Sequence, residues 1–504
     1  MSAQTKVAQA ENRRLKAQNN KFRDMLFAPS SEKTDRNNSS LDDPDNVAPV
    51  STPPKGDKPN LNDAAETADQ QPKKKQGMQG RQKIEIPLHL PRDRRIIEPV
   101  GGIICECGCG MRKIGEQVIE RLTYKPAEVR VIEEHYPKYT CRSCDRFVQA
   151  SVPKRAFDYT RFDDRLIAGL AVGKFADFLP NYRQEEIFKC SGIRFHRSTM
   201  GRLMTQAVDA LMPVHEALVV DLKSSSKLLM DETVIPQLVP GNGRIKSCYA
   251  WALCRDDRRW LGNAPPAVAF HFRQSRKGEH AEEILMGFGG ILQVDGYAGY
   301  NRLARTDRAG GPVILAYCWA HVRRKFLDVY KATKSAKANE IVALINDIYG
   351  IEARFKGQPA GARLAVRQTE SAPLVSKLRQ MLEKLSGQIA MKSTLGDAIK
   401  YTMKLFDGLK VFLTDGRVEM DSNAVENTIR PIALLRKNAL FAGSEIGGRN
   451  WAVMASLIAT CKLNGVEPYA YLTWVFEQMA NNLPRSEYDK LLPWHCPKGR
   501  FGIE

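Results

Sequence analysis

Long apolar runs are missing from this 504-residue sequence. No stretch of about 18 uninterrupted apolar residues occurs, which excludes a conventional membrane-spanning helix. The N-terminal segment also lacks the charged-then-apolar order of a secretory signal. With 43% hydrophobic and 26% charged residues, the composition excludes a wholly disordered chain. We therefore expect a cytoplasmic protein of about three globular units, without a membrane partner.

A disulfide scaffold is also excluded, because the eleven cysteines stand in a long chain without a secretory signal. Six of the cysteines are scattered, and we expect them to act as small apolar fillers. These six are Cys190, Cys248, Cys254, Cys318, Cys461 and Cys496.

The other five cysteines cluster and predict a structural zinc site. Cys141 and Cys144 have the Cys-x-x-Cys spacing that suits tetrahedral zinc. Upstream, Cys105, Cys107 and Cys109 offer three sulfurs where zinc needs two. We favour Cys107 and Cys109, with Cys105 as the alternative ligand. Unliganded thiols are the competing interpretation of the whole cluster.

Negative charge is in deficit: 76 Lys and Arg face 57 Asp and Glu, giving a net charge of +19. Acidic and basic residues nearly balance in residues 1–70, so the excess belongs to the rest of the chain. Such an excess indicates a polyanionic partner, most often nucleic acid, although a basic surface can also serve solubility alone.

The N-terminal part divides into a helix, a linker and a small module. Residues 1–28 carry sparse heptad-like apolar positions, which predict a weak coiled coil and an oligomerisation helix. Residues 29–83 are rich in Ser, Asp, Pro and Lys, which predicts a disordered linker that ends in a basic run. Residues 84–155 hold the cysteine cluster and alternate apolar with polar residues, which predicts strands.

Residues 156–225 are predicted to be helical. A helix, a glycine turn and a second helix follow one another there, with Ser198 as the expected cap of the second helix. This order resembles a DNA-binding helix-turn-helix that carries Arg202 forward, although any compact helical hairpin would look alike.

Mixed α/β structure is predicted for residues 226–330, which hold short apolar runs separated by turns and one helix. Residues 331–415 are predicted to be helical, with an apolar stripe around Leu378 and Leu382. Further helices are expected over 416–480, and residues 481–504 form a C-terminal tail segment.

Three acidic residues stand out at the ends of apolar runs. Asp231 follows "KLLM", Asp295 follows "ILQV" and Glu426 lies in "DSNAVENTIRP". Two-metal phosphoryl transfer needs hard oxygen ligands around cations about 3.5–4 Å apart, and carboxylates at adjacent strand ends with one on a helix can supply them.

Each acidic residue also has a structural interpretation. Asp231 could be a strand-end turn residue, and Asp295 with Gly296 could form a hairpin turn. Glu426 could complete a capping box with Asn423 or pair with Arg430 four residues on, in a short helix that the following proline ends or kinks.

The sequence resembles a family, the bacterial insertion-sequence transposases of the IS-sixty-six type. The resemblance covers nearly everything beyond the linker. It rests on "MDET" at 230–233, "VDGYAGYNRL" at 294–303, "CWAHVRRKF" at 318–326, "DSNAVENTIRPIALLRKNALFAGSEIGG" at 421–448 and "KLNGVEPYAYL" at 462–472. "LFAPSSEK" at 26–33 and "LLPW" at 491–494 resemble the family's terminal segments. The upstream half of the zinc module departs from the family's more usual Cys-x-x-Cys.

The resemblance implies a multidomain α/β protein. It has a ribonuclease-H-like catalytic core with a helical insertion, preceded by a helical DNA-binding region, a zinc module and an N-terminal helix with linker. It implies a DDE triad of Asp231, Asp295 and Glu426 holding two Mg²⁺ ions, with Mn²⁺ as an alternative metal. The expected activity is DNA cleavage and strand transfer at the element's terminal repeats, on the bacterial nucleoid, by a homo-oligomer that small accessory proteins could assist.

Further residues extend this hypothesis. His321 is predicted to contact the scissile phosphate or orient water, with a core histidine as an equal alternative. The expected DNA path is lined by basic residues, because phosphate contacts dominate affinity for DNA. These residues are Arg323, Arg324, Lys325, Arg430, Arg436 and Lys437. The competing functions are a non-enzymatic DNA-binding protein and a nuclease that lacks strand transfer.

Overall fold

The computed structural model describes residues 129–140, 147–157, 162–239, 244–308, 310–390, 392–439 and 442–497. The predicted N-terminal helix, the linker and all five clustered cysteines lie outside the described residues. Most of the described chain forms one compact unit. Asn346–Arg354 belongs to a second unit and is described below only as the end of the helix Ala336–Arg354.

The first strands form a small hairpin. Strands β1 (Lys138–Thr140) and β2 (Phe147–Gln149) pair antiparallel, with Tyr139 opposite Val148. Strands were predicted for the segment that ends at β1. In its described part, β1 is the only strand, and residues 129–137 belong to none.

A central mixed sheet follows, made of β3 (Lys227–Val239), β4 (Arg244–Arg255), β5 (Ala267–Arg273), β6 (Ile291–Val294) and β7 (Ile314–Tyr317). The strand order is β5-β4-β3-β6-β7. The first three strands are antiparallel, whereas β6 runs parallel to β3, and β7 runs parallel to β6. The predicted mixed α/β sheet is thus confirmed.

Strand β3 lies at the centre of the sheet because its first half is apolar on both faces. Leu228, Leu229 and Met230 are all buried, which is typical of a strand covered by helices on both sides. Strand β4 begins with four exposed residues and becomes buried from Cys248 on. The outer part of this hairpin is therefore more exposed than the end at the sheet centre.

The edge strand β5 is covered by helix α11 (Glu445–Leu463; helices are numbered in chain order). The amide of Val268 donates to Thr460 Oγ1 over 3.1 Å, and that of Phe270 donates to Ser456 Oγ over 2.7 Å. These buried hydroxyls satisfy backbone donors that a bare sheet edge would expose, which protects the edge from pairing with another chain.

Helices α1 (Asp164–Phe175), α2 (Asn181–Cys190) and α3 (Arg197–Lys223) precede the sheet. The predicted helix, glycine turn and helix are present, with Gly192 at φ +77° in the turn. The predicted cap is wrong by two residues. His196 is the N-cap of α3, and its ring nitrogen accepts from the Ser198 amide, because an imidazole reaches this donor as a hydroxyl would.

Residues 331–415 are mostly helical, as predicted. Helix α4 (Gly278–Ile284) lies before β6, and α5 (Trp319–Thr333) follows β7. The next helices are α6 (Ala336–Arg354), α7 (Ala360–Val366), α8 (Ala372–Ser386) and α9 (Thr394–Leu409). The apolar stripe of α8 is buried at Leu378 and Leu382, and α9 packs against α5 and β7.

Helices α10 (Asn423–Ala439) and α12 (Pro468–Ala480) complete the described fold with α11. Pro431 does not end α10, which continues for two further turns to Ala439. The proline removes only its own amide donor, and the rest of the helix retains its hydrogen bonds. Among the described residues, no helix has the length and apolar character needed to cross a membrane.

Candidate active site

Asp231 in β3 and Asp295, the residue that follows β6, are aligned by the register of these two parallel strands. Leu229 of β3 stands opposite Gln293 of β6, and each aspartate lies two residues further on. Because neighbouring strands are about 4.8 Å apart, this register directs the two carboxylates to one region. The strand-end interpretation of Asp231 is wrong, since β3 continues to Val239.

The hairpin interpretation of Asp295 is also wrong. A 3₁₀ helix, Ala298–Ala304, follows the aspartate in place of a returning strand. The amide of Tyr297 donates to Asp295 Oδ1 over 2.9 Å, so the turn holds the carboxylate. Gly296 is needed here, because a Cβ would overlap the hydroxyl of Tyr401.

Glu426 lies in the first turn of α10, which packs against β3 and β4. Ser422 precedes the helix, and its hydroxyl donates to Glu426 Oε1 over 2.8 Å. This bond joins two side chains, and the Asn423 amide donates to Asp421 Oδ1 over 3.1 Å, so the predicted capping box between Asn423 and Glu426 does not form. Among the described side chains, no ion pair joins Glu426 to Arg430. One oxygen of Glu426 is thus oriented and the other is left for a ligand.

Electrostatic coupling links these three carboxylates. Burial, followed by the negative charges of Glu232, Asp295 and Glu426, raises the pKa of Asp231 from 3.8 to about 7. Burial also raises the pKa of Asp421 to about 6, with Glu426 among the charges that contribute. Carboxylates with raised pKa values are typical of sites that bind cations or transfer protons. The oxygens of Asp231, Asp295 and Glu426 do not all lie within 4.8 Å of one another, so a shared cation requires these side chains to move closer together.

Glu232 is a buried carboxylate beside Asp231 that the sequence analysis did not identify. It accepts hydrogen bonds from Arg276 and from the hydroxyl of Tyr300. Arg276 also lies 3.6 Å from Asp295 Oδ2. One guanidinium therefore connects the Glu232 carboxylate to the candidate site. The only sequence signal for Glu232 was its place in "MDET". Because successive strand residues point to opposite faces, its position next to Asp231 did not predict a role at the same site.

The structure brings His321 to Glu426. His321 lies in the first turn of α5, and Cys318 is the residue that caps this helix. Ligand atoms of Cys318, His321 and Glu426 all lie within 4.8 Å of one another. The His321 ring is half-buried, and its Nδ1 has no hydrogen-bond partner among the described residues. Cys318 was expected only as an apolar filler.

The predicted DNA-contacting residues differ in their surroundings. Arg324, Arg430 and Lys437 are exposed, as is Lys325, whose ammonium lies 4.6 Å from the ring centroid of Tyr401. Arg323 is half-buried and has a partner.

Arg436 and Arg202 are the remaining residues predicted to contact DNA. The guanidinium of Arg436 donates to the Val234 carbonyl over 3.2 Å, which ties α10 to β3. Arg202 is exposed on α3, and among the described residues no hydrogen bond or ion pair joins it to the carboxylates. Arg436 thus stabilises the fold around the site, whereas the predicted DNA contact of Arg202 belongs to the helical region before the sheet.

The donor chemistry of Asp231, Asp295 and Glu426 suits a hard cation. Carboxylate oxygens on adjacent elements are the ligands that Mg²⁺ prefers. The raised pKa of Asp231 indicates negative charge that a bound cation would neutralise. The predicted zinc ligands Cys107, Cys109, Cys141 and Cys144, and the alternative Cys105, lie outside the described residues.

Comparison with known families finds matches along the chain. A model described as "Transposase IS66 family" matches residues 160–450, more than half of the sequence. "IS66 C-terminal element" matches 456–494, and "zinc-finger binding domain of transposase IS66" matches 103–145. "Transposase C of IS166 homeodomain" matches 14–95.

Curated relatives are found in Sinorhizobium fredii. "Uncharacterized protein y4jD" is 41% identical over 443 residues, which cover 86% of this chain and 87% of that protein. "Uncharacterized protein y4qI" is 39% identical, covering 82% of this chain and 77% of the relative. "Uncharacterized protein y4hP" is 35% identical, covering 81% and 76%.

Proposed function

The chain belongs to the IS66 transposase family, and from this premise we propose that it cleaves and joins DNA at Asp231, Asp295 and Glu426. The observation that carries the proposal is the register of β3 and β6, which aligns Asp231 with Asp295, the residue that follows β6. Glu426 comes from a distant part of the sequence and begins a helix packed against this sheet, and the charges of Asp295 and Glu426 contribute to the raised pKa of Asp231.

The topology supports a ribonuclease-H-like core. An antiparallel meander, β3-β4-β5, is followed by two strands added in parallel on the other side of β3. Helices α5 to α9 then separate β7 from the helix that carries Glu426, as expected of a helical insertion. The first two acidic residues thus come from the sheet and the last from beyond the insertion.

The residues around the triad have separate tasks in this proposal. Two Mg²⁺ ions, when bound, would activate the attacking oxygen and stabilise the leaving oxygen of a phosphodiester. Arg276 holds Glu232 and lies beside Asp295, which limits the movement of these two side chains next to Asp231. Ser422 orients Glu426 through its hydroxyl. His321, close to Glu426, contacts the scissile phosphate or orients the attacking water.

DNA reaches this site along exposed basic residues. Arg324, Lys325 and Arg430 are exposed in the helices that carry His321 and Glu426. Such side chains bind phosphates without reading sequence, and their contribution weakens with salt. We expect charge-neutralised variants to have a lower affinity and a shallower salt dependence than the wild type.

The N-terminal regions recognise and assemble the element's ends in this proposal. The match over 103–145 supports a zinc-binding module, in which Cys107, Cys109, Cys141 and Cys144 are the proposed ligands and Cys105 the alternative. Helices α2 and α3, with Arg202, form the proposed helix-turn-helix contact. The partners are the terminal repeats and target DNA, a second copy of this chain, and small accessory proteins.

A plasmid-cleavage assay tests the enzyme. Supercoiled DNA carrying the element's ends is incubated with Mg²⁺ and either the wild type or one of Asp231→Asn, Asp295→Asn and Glu426→Gln. We expect cleavage by the wild type, a loss of at least about 100-fold in each variant, and full activity in the exposed control Asp307→Asn. Equal activity in all proteins would exclude the triad.

Two other functions are separated in the same experiment. A DNA-binding protein without enzymatic activity would bind the ends and cleave in no condition, but it leaves the coupled carboxylates unexplained. A nuclease without strand transfer would cleave and yield no joined product when oligonucleotide ends and target DNA are supplied together. We expect joined products whose formation needs the same three carboxylates.

A further inference from the structure

A second set of metal ligands overlaps the candidate active site. Ligand atoms of Cys318, His321 and Glu426 lie within 4.8 Å of one another, and they comprise a sulfur, a ring nitrogen and a carboxylate oxygen. Asp231 and Asp295 offer oxygen alone. Glu426 is thus the one member of the proposed triad that also belongs to a group with soft ligands.

Two helix starts are held together at this point. Cys318 caps α5 and His321 follows one turn later, while Glu426 lies in the first turn of α10. The Trp319 amide donates to the Met420 carbonyl over 2.8 Å, so the segments before the two helices are hydrogen-bonded. The three ligands therefore stand on a preformed scaffold.

The immediate surroundings of two of the ligands favour metal coordination. The amide of Ser422 donates to Cys318 Sγ over 3.4 Å, and the backbone of His321 also bonds to this sulfur, while burial raises the pKa of the thiol to about 11, so that metal binding has to displace its proton. Hydrogen bonds from backbone amides stabilise a thiolate and orient its lone pairs. The buried Nδ1 of His321 has no partner among the described residues, which leaves a nitrogen available.

The ligand set selects zinc over magnesium. Cysteine, histidine and glutamate are usual zinc ligands at about 2.0–2.3 Å, and tetrahedral geometry places such atoms roughly 3.5 Å apart. Ligand atoms within 4.8 Å reach that geometry by a side-chain shift of about 1 Å. Mg²⁺ prefers six oxygen ligands and has little affinity for sulfur.

We propose that Cys318, His321 and Glu426 bind one Zn²⁺ ion, and that this zinc inhibits the enzyme by withdrawing Glu426 from the Mg²⁺ ions. Water occupies the fourth position of the zinc, and coordination releases the thiol proton to solvent. The binding site stands on its own geometry, whereas the inhibition rests on the proposed function.

Zinc content of the full-length protein tests the site. Protein equilibrated with a slight excess of Zn²⁺ and desalted is analysed for metal per chain. We expect Cys318→Ala and His321→Gln each to bind one zinc fewer than the wild type, while zinc held by residues 103–145 stays constant. Cys190→Ser, which removes an exposed cysteine, serves as the control and keeps the wild-type number. Circular dichroism melts verify that each variant is folded.

Two outcomes would overturn the site: equal zinc content in wild type and both variants, or loss in only one folded variant. Cobalt provides a second readout, because the thiolate-to-cobalt absorption should fall in Cys318→Ala and persist in Cys190→Ser. Unchanged absorption in Cys318→Ala would contradict sulfur ligation at this position.

Inhibition is measured as the ratio of Mg²⁺-dependent cleavage with and without zinc. At free zinc ten times its dissociation constant, a single competing site lowers wild-type activity about tenfold. For His321→Gln and Cys318→Ala, cleavage with zinc should nearly equal cleavage without zinc. Each variant is compared with its own zinc-free activity, whatever that activity is. Equal inhibition of all proteins would reject the competition. Absence of wild-type cleavage with Mg²⁺ alone would reject the proposed function and leave the zinc count unaffected.

Discussion

Asp231→Asn should stabilise the metal-free protein at neutral and alkaline pH. The folded protein raises the pKa of this carboxyl from 3.8 to about 7, chiefly through burial and secondly through the charge of Glu232. The folded state therefore holds the proton more tightly than the unfolded state. Stability from this group is present at low pH and is lost as pH rises through the interval from about 4 to 7.

The magnitude follows from the two pKa values. Each tenfold change in proton affinity corresponds to about 1.4 kcal/mol. A rise from 3.8 to about 7 therefore corresponds to about 4 kcal/mol of unfolding free energy, lost between pH 4 and 8. Asparagine keeps the shape and the acceptor for the Glu232 amide but carries no charge. Because relaxation and water entry reduce such values, we expect a gain of about 2–4 kcal/mol at pH 8 and little at pH 4.

Urea unfolding of wild type and variant at several pH values, in a chelator, measures the difference directly. Titrations of groups that do not interact with Asp231 cancel when the two curves are subtracted, so the difference reports Asp231 together with its neighbours Glu232, Asp295 and Glu426. Asp307→Asn is the control, since the pKa of this exposed carboxyl is lowered by Arg305 and its removal brings no gain at high pH. Parallel curves for wild type and Asp231→Asn would refute the reasoning. Added Mg²⁺ should stabilise only the wild type if the carboxylate is a ligand.

Three further changes test the surrounding structure. Gly296→Ala should lower the unfolding free energy by about 1–3 kcal/mol, because the new Cβ overlaps the Tyr401 hydroxyl; urea midpoints measure it. Burial lowers the pKa of His215 to about 4, so stability should fall as pH drops from about 6.5 towards 4, and His215→Gln should flatten that slope. Arg363→Met should cost up to about 3–5 kcal/mol, because the buried Glu419 loses its bidentate partner and keeps the more distant Arg259 at 3.9 Å. Adding Glu419→Gln should recover part of the loss, and equal stability of the single and double variants would contradict this.

Local pattern was sufficient for the main elements of the fold. Short apolar runs separated by turns predicted mixed α/β structure over 226–330, and strands β3 to β7 all lie within these bounds. A strand that is buried in the sheet needs apolar side chains whichever other elements pack against it, so the pattern can be read without knowing the fold. The helical character of 331–415 followed from apolar spacing in the same way. Capping was less predictable, since His196 replaced Ser198 as the N-cap of α3 and the expected capping box of Asn423 with Glu426 did not form. Several side chains can satisfy one amide donor.

The sequence by itself determined which segments form helices and strands. It also singled out three acidic residues and predicted an excess of basic charge in the folded part of the chain. Local structure depends on the periodicity and type of residues that are close in sequence, so it can be predicted from the sequence alone. Only the tertiary structure decided which groups meet. Strand register set Asp231 beside Asp295, and helix packing brought Glu426 to Cys318 and His321. Burial and the summed field of nearby charges then raised the pKa of Asp231, and both depend on distances between residues far apart in sequence.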